Sequence, residues 1–149
     1  MQIIEIPIKD IAPYPKNSKL HPEKQIKQIA KSISEFGFLV PIILDKDKNI
    51  VAGHGRYLAA LLLAKETVPC IMVEHLTEEQ VKAYRLADNK LAETDFDMEM
   101  VIEELKSMSL QMIDLTGFNS NLILETIEDK PDLSKVGVPK SVEGDIYIY

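Results

Sequence analysis

The segment from Ile50 to Lys65 changes its period in the middle. Ile50, Val51 and Ala52 form a short unbroken apolar run, as a buried strand does. Gly53-His54-Gly55-Arg56 follows, and then an Ala- and Leu-rich stretch of high helix propensity. A strand that hands over to a helix across glycines points to an α/β fold and gives one turn a defined chemistry. The first N–H groups of a helix lack internal acceptors, and partial positive charge gathers there. Gly53 and Gly55 permit positive φ and a close approach of ligand to backbone. Arg56 adds a planar fork for a phosphate or carboxylate. His54 adds a group that titrates near neutral pH. Together these residues describe an anion cradle. The same spacing also fits a tight connection in which Arg56 pairs with one of the chain's acids, and spacing alone does not separate the two.

The flanking patterns give the other elements. Ile4, Ile6 and Ile8 alternate, which predicts a first strand over residues 2–8 with one buried face. Residues 13–21 form a loop rich in Pro, Asn, Ser and Lys. Pro22 suits the first position of a helix, and Ile26, Ile29, Ile33 and Phe36 recur on one face before Gly37 ends it. Lys24, Lys27 and Lys31 make a second stripe, either a solvated face or a basic rim. Val40–Leu44 and 49–52 read as a hairpin, with Asp45 and Asp47 at its turn. A further strand is expected over 68–74. Thr77 and Gln80 form a capping box for a helix to Ala92, and Asp97 caps another to about residue 107. Leu110–Phe118 is ambiguous, and Asn119–Glu128 reads as a last short helix. The pattern fades over 129–149, where a polar linker precedes the alternating Ile146-Tyr147-Ile148-Tyr149. That ending fits the start of a truncated downstream domain, or a swapped or docked arm. The expected organisation is a small mixed sheet with flanking helices over 1–107, a helical appendage over 108–130, and a linker or new domain start over 131–149.

Charge and cysteine content narrow the function classes. The net charge of −7 argues against a dominant non-specific DNA-binding surface. The balance is uneven: nine Lys/Arg face six Asp/Glu up to Leu58, and eight face eighteen after it. An anion site therefore belongs in the first half. No apolar run approaches the ~20 residues of a membrane span, and the N-terminus lacks a secretory pattern. The single cysteine, Cys70, forms no internal disulfide and reads as a strand core residue. A cytoplasmic setting is the simplest.

Three segments, PYPKNSKLHPEKQIKQIAKSISEFGFLVPIILD, NIVAGHGRYLAALLL and VPCIMVEHLTEEQVKAYRLADNKLAE, together resemble the ParB/sulfiredoxin-like domain, including the version that precedes phage and prophage DNA modification methylases. The resemblance runs from Ile8 to about Leu105. It implies a mixed α/β fold and a turn that binds the phosphates of CTP or ATP with Mg2+. Gly53 matches the leading glycine of that turn, and Arg56 its last arginine. Asn89 resembles the asparagine of a later nucleotide motif near the phosphates and metal. Asn17 and Lys19 fall in the loop of the first nucleotide motif. The resemblance departs at three places. His54 stands where sulfiredoxin has its cysteine, Gly55 where ParB has a second arginine, and Ala52 where the serine kinases have an acid. Gly117-Phe118 and Val142-Glu143-Gly144-Asp145-Ile146-Tyr147 resemble the junction to a methyltransferase domain.

Three functions follow as expectations. The first is a nucleotide- or nucleic-acid-phosphate-binding module linked to a prophage DNA modification methylase. The second is a metal-dependent nuclease, or an ATP/CTP-using phosphohydrolase or kinase, with His54 and Asp88 as catalytic candidates and Asp88 as the metal candidate beside Asp45 and Asp47. The third is a non-catalytic protein-interaction or transcription-regulatory module. A nucleotide or DNA is the expected partner, with no membrane and a homodimer as an option. His21, His54 and His75 lie on separate segments without the i, i+4 spacing of a zinc pair. Tyr14 could stack on a base or pack across its loop.

Overall fold

The computed structural model describes residues 1–13, 15 and 21–124. Tyr14, Asn17 and Lys19 lie outside the described residues, as do the linker, the junction at 142–147 and the ending Ile146–Tyr149. The described chain falls into two compact units, Met1–Glu93 and a second that begins at Thr94. The helix expected up to residue 107 belongs to the second unit, whereas the sequence boundary near 107 groups it with the first.

The first unit is built on four strands, β1 (Ile3–Pro7), β2 (Ile42–Asp45), β3 (Ile50–Ala52) and β4 (Thr67–Val73), in the order β1-β4-β2-β3. β4 is antiparallel to β1 and parallel to β2, while β2 and β3 form the expected hairpin. Three helices complete the unit: α1 (Glu23–Phe36), α2 (His54–Leu62) and α3 (Glu78–Leu91). Because β4 returns beside β2, the β3–α2 connection crosses over β2 and leaves β3 on an edge. Residue 12 supplies a short bridge to that edge, with Ile50 N–H donating to Ala12 O at 3.0 Å.

Apolar alternation explains the sheet. Ile42 and Leu44 are fully buried, and they pack with Ile6, Ile50, Val68 and Cys70 against Ala60 of α2. Ile29, Ala30 and Ile33 of α1 pack on Ala59 of α2. Three expectations need correction. The first strand stops at Pro7, and Ile8 opens a short 3-10 turn. Of its alternating isoleucines, Ile6 is buried, while Ile4, on the same face and nearer the start of the strand, is 39% exposed. Val40 is exposed and precedes β2. Phe36, expected on the apolar face of α1, is 48% exposed. Gly37 closes the helix there, and Phe38 packs on the core instead.

Pro22 is the N-cap of α1 rather than its first residue. Gln80 N–H donates to Thr77 Oγ1 at 3.2 Å, and Thr77 N–H donates to Gln80 Oε1 at 2.9 Å, the reciprocal bonds of the expected capping box. The second unit contains α4 (Met98–Leu105) and α5 (Leu110–Thr116), each capped by the residue before it, Asp97 or Ser109. The ambiguous stretch, Leu110–Phe118, is therefore helical as far as Thr116. Leu105, Ile113 and Ile123 form its core with Val101 and Phe118, and Phe96 meets Phe118 edge-on at 5.2 Å. Residues 121–124 are helical, and the remainder of the expected last helix is outside the described residues.

Truncating Leu44 to Ala is expected to lower unfolding free energy by about 2–5 kcal/mol through lost burial and a cavity. Phe36→Ala should cost about 0.5 kcal/mol, as an exposed site does. Urea denaturation of both variants measures the contrast.

Candidate functional site

The strand-to-helix turn forms one wall of a cavity of about 330 Å³ within the first unit. Ligand pockets start at about this size. Gly53, His54 and Arg56 line it, with His21 from the start of α1, Pro41 and Ile43 beside and within β2, and Arg85, Asp88 and Asn89 from α3.

Gly53 explains the geometry of the turn. Its φ of 102° lies in the left-handed region that side chains disfavour, and it caps α2 directly. Helix α2 therefore begins at His54. Tyr57 N–H donates to Gly53 O at 2.9 Å. The N–H groups of His54, Gly55 and Arg56 precede this bond and have no intrahelical acceptor. Gly55 is buried in the first turn.

The Arg56 side chain folds back over the turn. A methyl group at Gly53 would lie 3.0 Å from Arg56 Nη2, 3.3 Å from its Cζ and 3.3 Å from Ile42 Cα. Nη2 donates to Pro41 O at 3.1 Å, while Nε is buried with no acceptor among the described residues. Burial lowers the pKa of this guanidinium and the Asp88 carboxylate raises it. Arginine stays cationic under either influence.

His54 is half-buried, and its Nδ1 has no partner among the described residues. Its ring stacks on His21 at 5.5 Å between centroids and lies 6.1 Å from that of Tyr57. Sequence spacing gave no sign of the His21–His54 pair, which tertiary packing creates. His75 does not line the cavity. Burial first, and then the neighbouring His21, lower the His54 pKa from its ordinary value of 6.5.

Of the carboxylates proposed for metal chemistry, Asp88 alone lines this cavity. Asp45 instead shapes the hairpin: its Oδ1 accepts the N–H groups of Asp47 and Asn49, each at 2.9 Å. Both Asp45 and Asp47 line a separate cavity with Thr77 and Glu78. No group of three His, Cys, Asp or Glu among the described residues could hold a metal ion. Cys70 is a core residue, as expected, and burial pushes its thiol up to about 11. Lys27 pairs with Glu23 at 3.0 Å on the surface of α1.

Charge balance points to the first half of the chain, whereas the resemblance already brings in Asn89 and Asp88; Arg85 is singled out by neither. The cavity takes Arg85, Asp88 and Asn89 from the acidic half. Arg85 is 6% exposed, and its Nη2 donates to Ile50 O at 2.9 Å. A signal was present: Arg56 and Arg85 are the only arginines in a chain with seventeen Lys and Arg residues. Arg85 also sits one turn after Val81, on the buried face of its helix.

Residues 1–90 match the ParB N-terminal domain. The chain belongs to that family. It is 38% identical over 80 residues to the ParB-like nuclease domain-containing protein YnaK of Escherichia coli (strain K12), a match covering 54% of this chain and 92% of YnaK. Its fold is similar to that of the C-terminally truncated chromosome-partitioning protein ParB from Caulobacter crescentus complexed with CTP-γ-S. That match has a TM-score of 0.64 at 18% identity and covers 91% of this chain and 90% of the other. The same truncated ParB complexed to the centromeric parS site matches with a TM-score of 0.50 at 21% identity, over 93% and 78% of the two chains. The chain spans about a third of the length of the chromosome-partitioning relatives that it matches. At the turn, this ParB-family member carries His54 and Gly55 between the glycine and the arginine.

Gly53→Ala should destabilise the fold by about 1 kcal/mol or more, because φ is positive and Ile42 backbone blocks the methyl group. Denaturant midpoints test this. His54 gives a pH dependence of known sign. The unfolded chain takes up a proton near pH 6.5, the folded chain only at lower pH. Stability is therefore retained above 6.5 and falls as pH drops through the lowered folded value. His54→Asn should flatten that part of the fall, read from urea midpoints between about pH 7.5 and about pH 5.

Proposed function

We propose that the turn cavity binds the phosphates of a nucleoside triphosphate, CTP or ATP, with Mg2+ carried by the ligand. The observation that carries this reading is the Arg56 guanidinium. It lies folded onto the amino end of α2, with Nε lacking an acceptor among the described residues, and faces the same cavity as Asn89. Helix terminus and guanidinium act together on an anion. Asn89 and Asp88 line the same cavity, and in this reading their oxygens are the donors for the ligand's metal. The His54 imidazole, whose pKa burial lowers, is a hydrogen-bonding group toward the ligand. The structural neighbour complexed with CTP-γ-S supports the nucleotide class, and the neighbour complexed to parS supports DNA as a partner of the assembled protein.

Two-metal nuclease chemistry needs several carboxylates around the ions. The described lining has one, Asp88, which favours binding over cleavage. The wider context is part of the same proposal: a cytoplasmic domain, capable of pairing with a second copy, attached to a DNA modification methylase of prophage origin. Gly117 and Phe118, at the end of α5, support that junction by their resemblance to it. No helix among the described residues is long and apolar enough to cross a membrane.

Thermal shift with CTP, ATP and Mg2+ tests the core claim. A ligand at about 100 times its Kd stabilises the fold by about 2.7 kcal/mol. Arg56→Ala should abolish the shift while the protein remains folded by circular dichroism. A wild-type protein whose melting temperature no nucleotide moves would overturn the reading.

A further inference from the structure

We propose that His21 and His54 act as one proton acceptor beside the anion site, taking up a proton as the phosphate ligand binds, so that the cavity holds this ligand more tightly as pH falls. This rests on the phosphate-binding reading of the turn and adds a control to it.

Two imidazoles meet in one wall of the cavity. His21 arrives from the residue before the α1 cap, Pro22, and His54 is the first residue of α2. Their rings stack with centroids 5.5 Å apart and planes 30° apart, and both line the cavity with Arg56. Helix formation explains neither ring, since Gly53 alone sets the backbone of the turn. Rings this close titrate together, because a proton on one opposes a proton on the other.

The surroundings decide when the first proton enters. From α2, Arg56 lines the same cavity and the Tyr57 ring lies 6.1 Å from that of His54. From α3 come Asp88 and Arg85, the latter bonded through Nη2 to Ile50 O. Strand β2 and its approach contribute Val40, Pro41 and Ile43, which carry no charge. At the opening of α1, neither Glu23 nor Lys24 lines the cavity, and Glu23 pairs with Lys27.

His21 Nδ1 lies 3.1 Å from Gln25 Oε1. A carboxamide oxygen only accepts, so Nδ1–H donates there and a further proton enters at Nε2. His54 Nδ1 is buried and has no partner among the described residues. Both nitrogens of an imidazolium donate, so a charged His54 brings a buried donor in need of an acceptor. Burial of the ring also opposes that charge. A phosphate supplies what is needed, acceptor oxygens and negative charge, within the cavity that the ring lines. Linkage fixes the sign. A pair whose pKa rises on binding gains a proton with the ligand, and affinity increases as pH drops towards the pKa of the unbound pair.

Stacking by itself would also brace the two segments, so the test must read protons. The chain has three histidines, and His75 does not line the cavity, which makes it an internal reference. Imidazole signals of labelled wild type are followed by NMR from about pH 8 to about pH 5, with and without saturating CTP and Mg2+, and again with ATP and Mg2+. The apparent pKa of the His21–His54 pair should rise by about one unit or more in the complex, while His75 stays where it was. Calorimetry reads the same effect through affinity. Between about pH 8 and about pH 5.5, the Kd of wild type should fall at least about tenfold further than that of His54→Asn or His21→Asn. The ligand's own titration cancels in that comparison. The NMR readout needs wild type alone, so it stands even if a variant does not fold. A pair whose pKa the nucleotide leaves unmoved or lowers would overturn the inference and leave the turn site standing, as would equal pH dependence in wild type and His54→Asn. Failure of both nucleotides to bind would overturn the phosphate reading itself.

Discussion

Gly53 sets the geometry on which the cavity depends. Its left-handed backbone turns the chain from β3 into α2 without a connecting loop, and the absence of a side chain lets the Arg56 guanidinium lie against the turn. From there the guanidinium reaches Pro41 O, at the entrance to β2. One residue thus joins three features: the end of an edge strand, the amino end of a helix, and a partly buried cation. A glycine fits here because both φ and space demand it, and the rest of the polar lining is arranged around the cation that it admits.

The second constraint is the sheet order. With β4 beside β2, β3 remains at the edge and its outward carbonyl at Ile50 needs a donor. Arg85 provides one. Helix α3 buries Val81 and Arg85 alone among its residues, so its hold on the sheet is unusually polar. An apolar contact would hold the helix more firmly than a guanidinium whose burial costs free energy.

Membership of the ParB N-terminal domain family accounts for the fold and leaves the chemistry to the residues at the site. The match ends at residue 90, close to the end of the first compact unit at Glu93. Within the turn, His54 and Gly55 give this chain its own lining. The imidazole is half-buried and stacked on His21.

The sequence alone determined the local events. Ile50-Val51-Ala52 before Gly53, the capping box at Thr77 and Gln80, and the isoleucine period of α1 are all set by interactions within a few residues, so the strands, the helices and the glycine turn between β3 and α2 were legible. What was not legible depended on distance along the chain. Phe36 and Val40 are exposed because the fold covers their neighbours instead, and the alternation running to Ile8 was overruled by a 3-10 turn. Tertiary structure decided that His21 meets His54 and that Arg85 faces the same cavity as Arg56, twenty-nine residues earlier in the chain. Periodicity reports which side of an element is buried. It carries no record of which element arrives on the other side, and that second wall is what makes the turn a pocket.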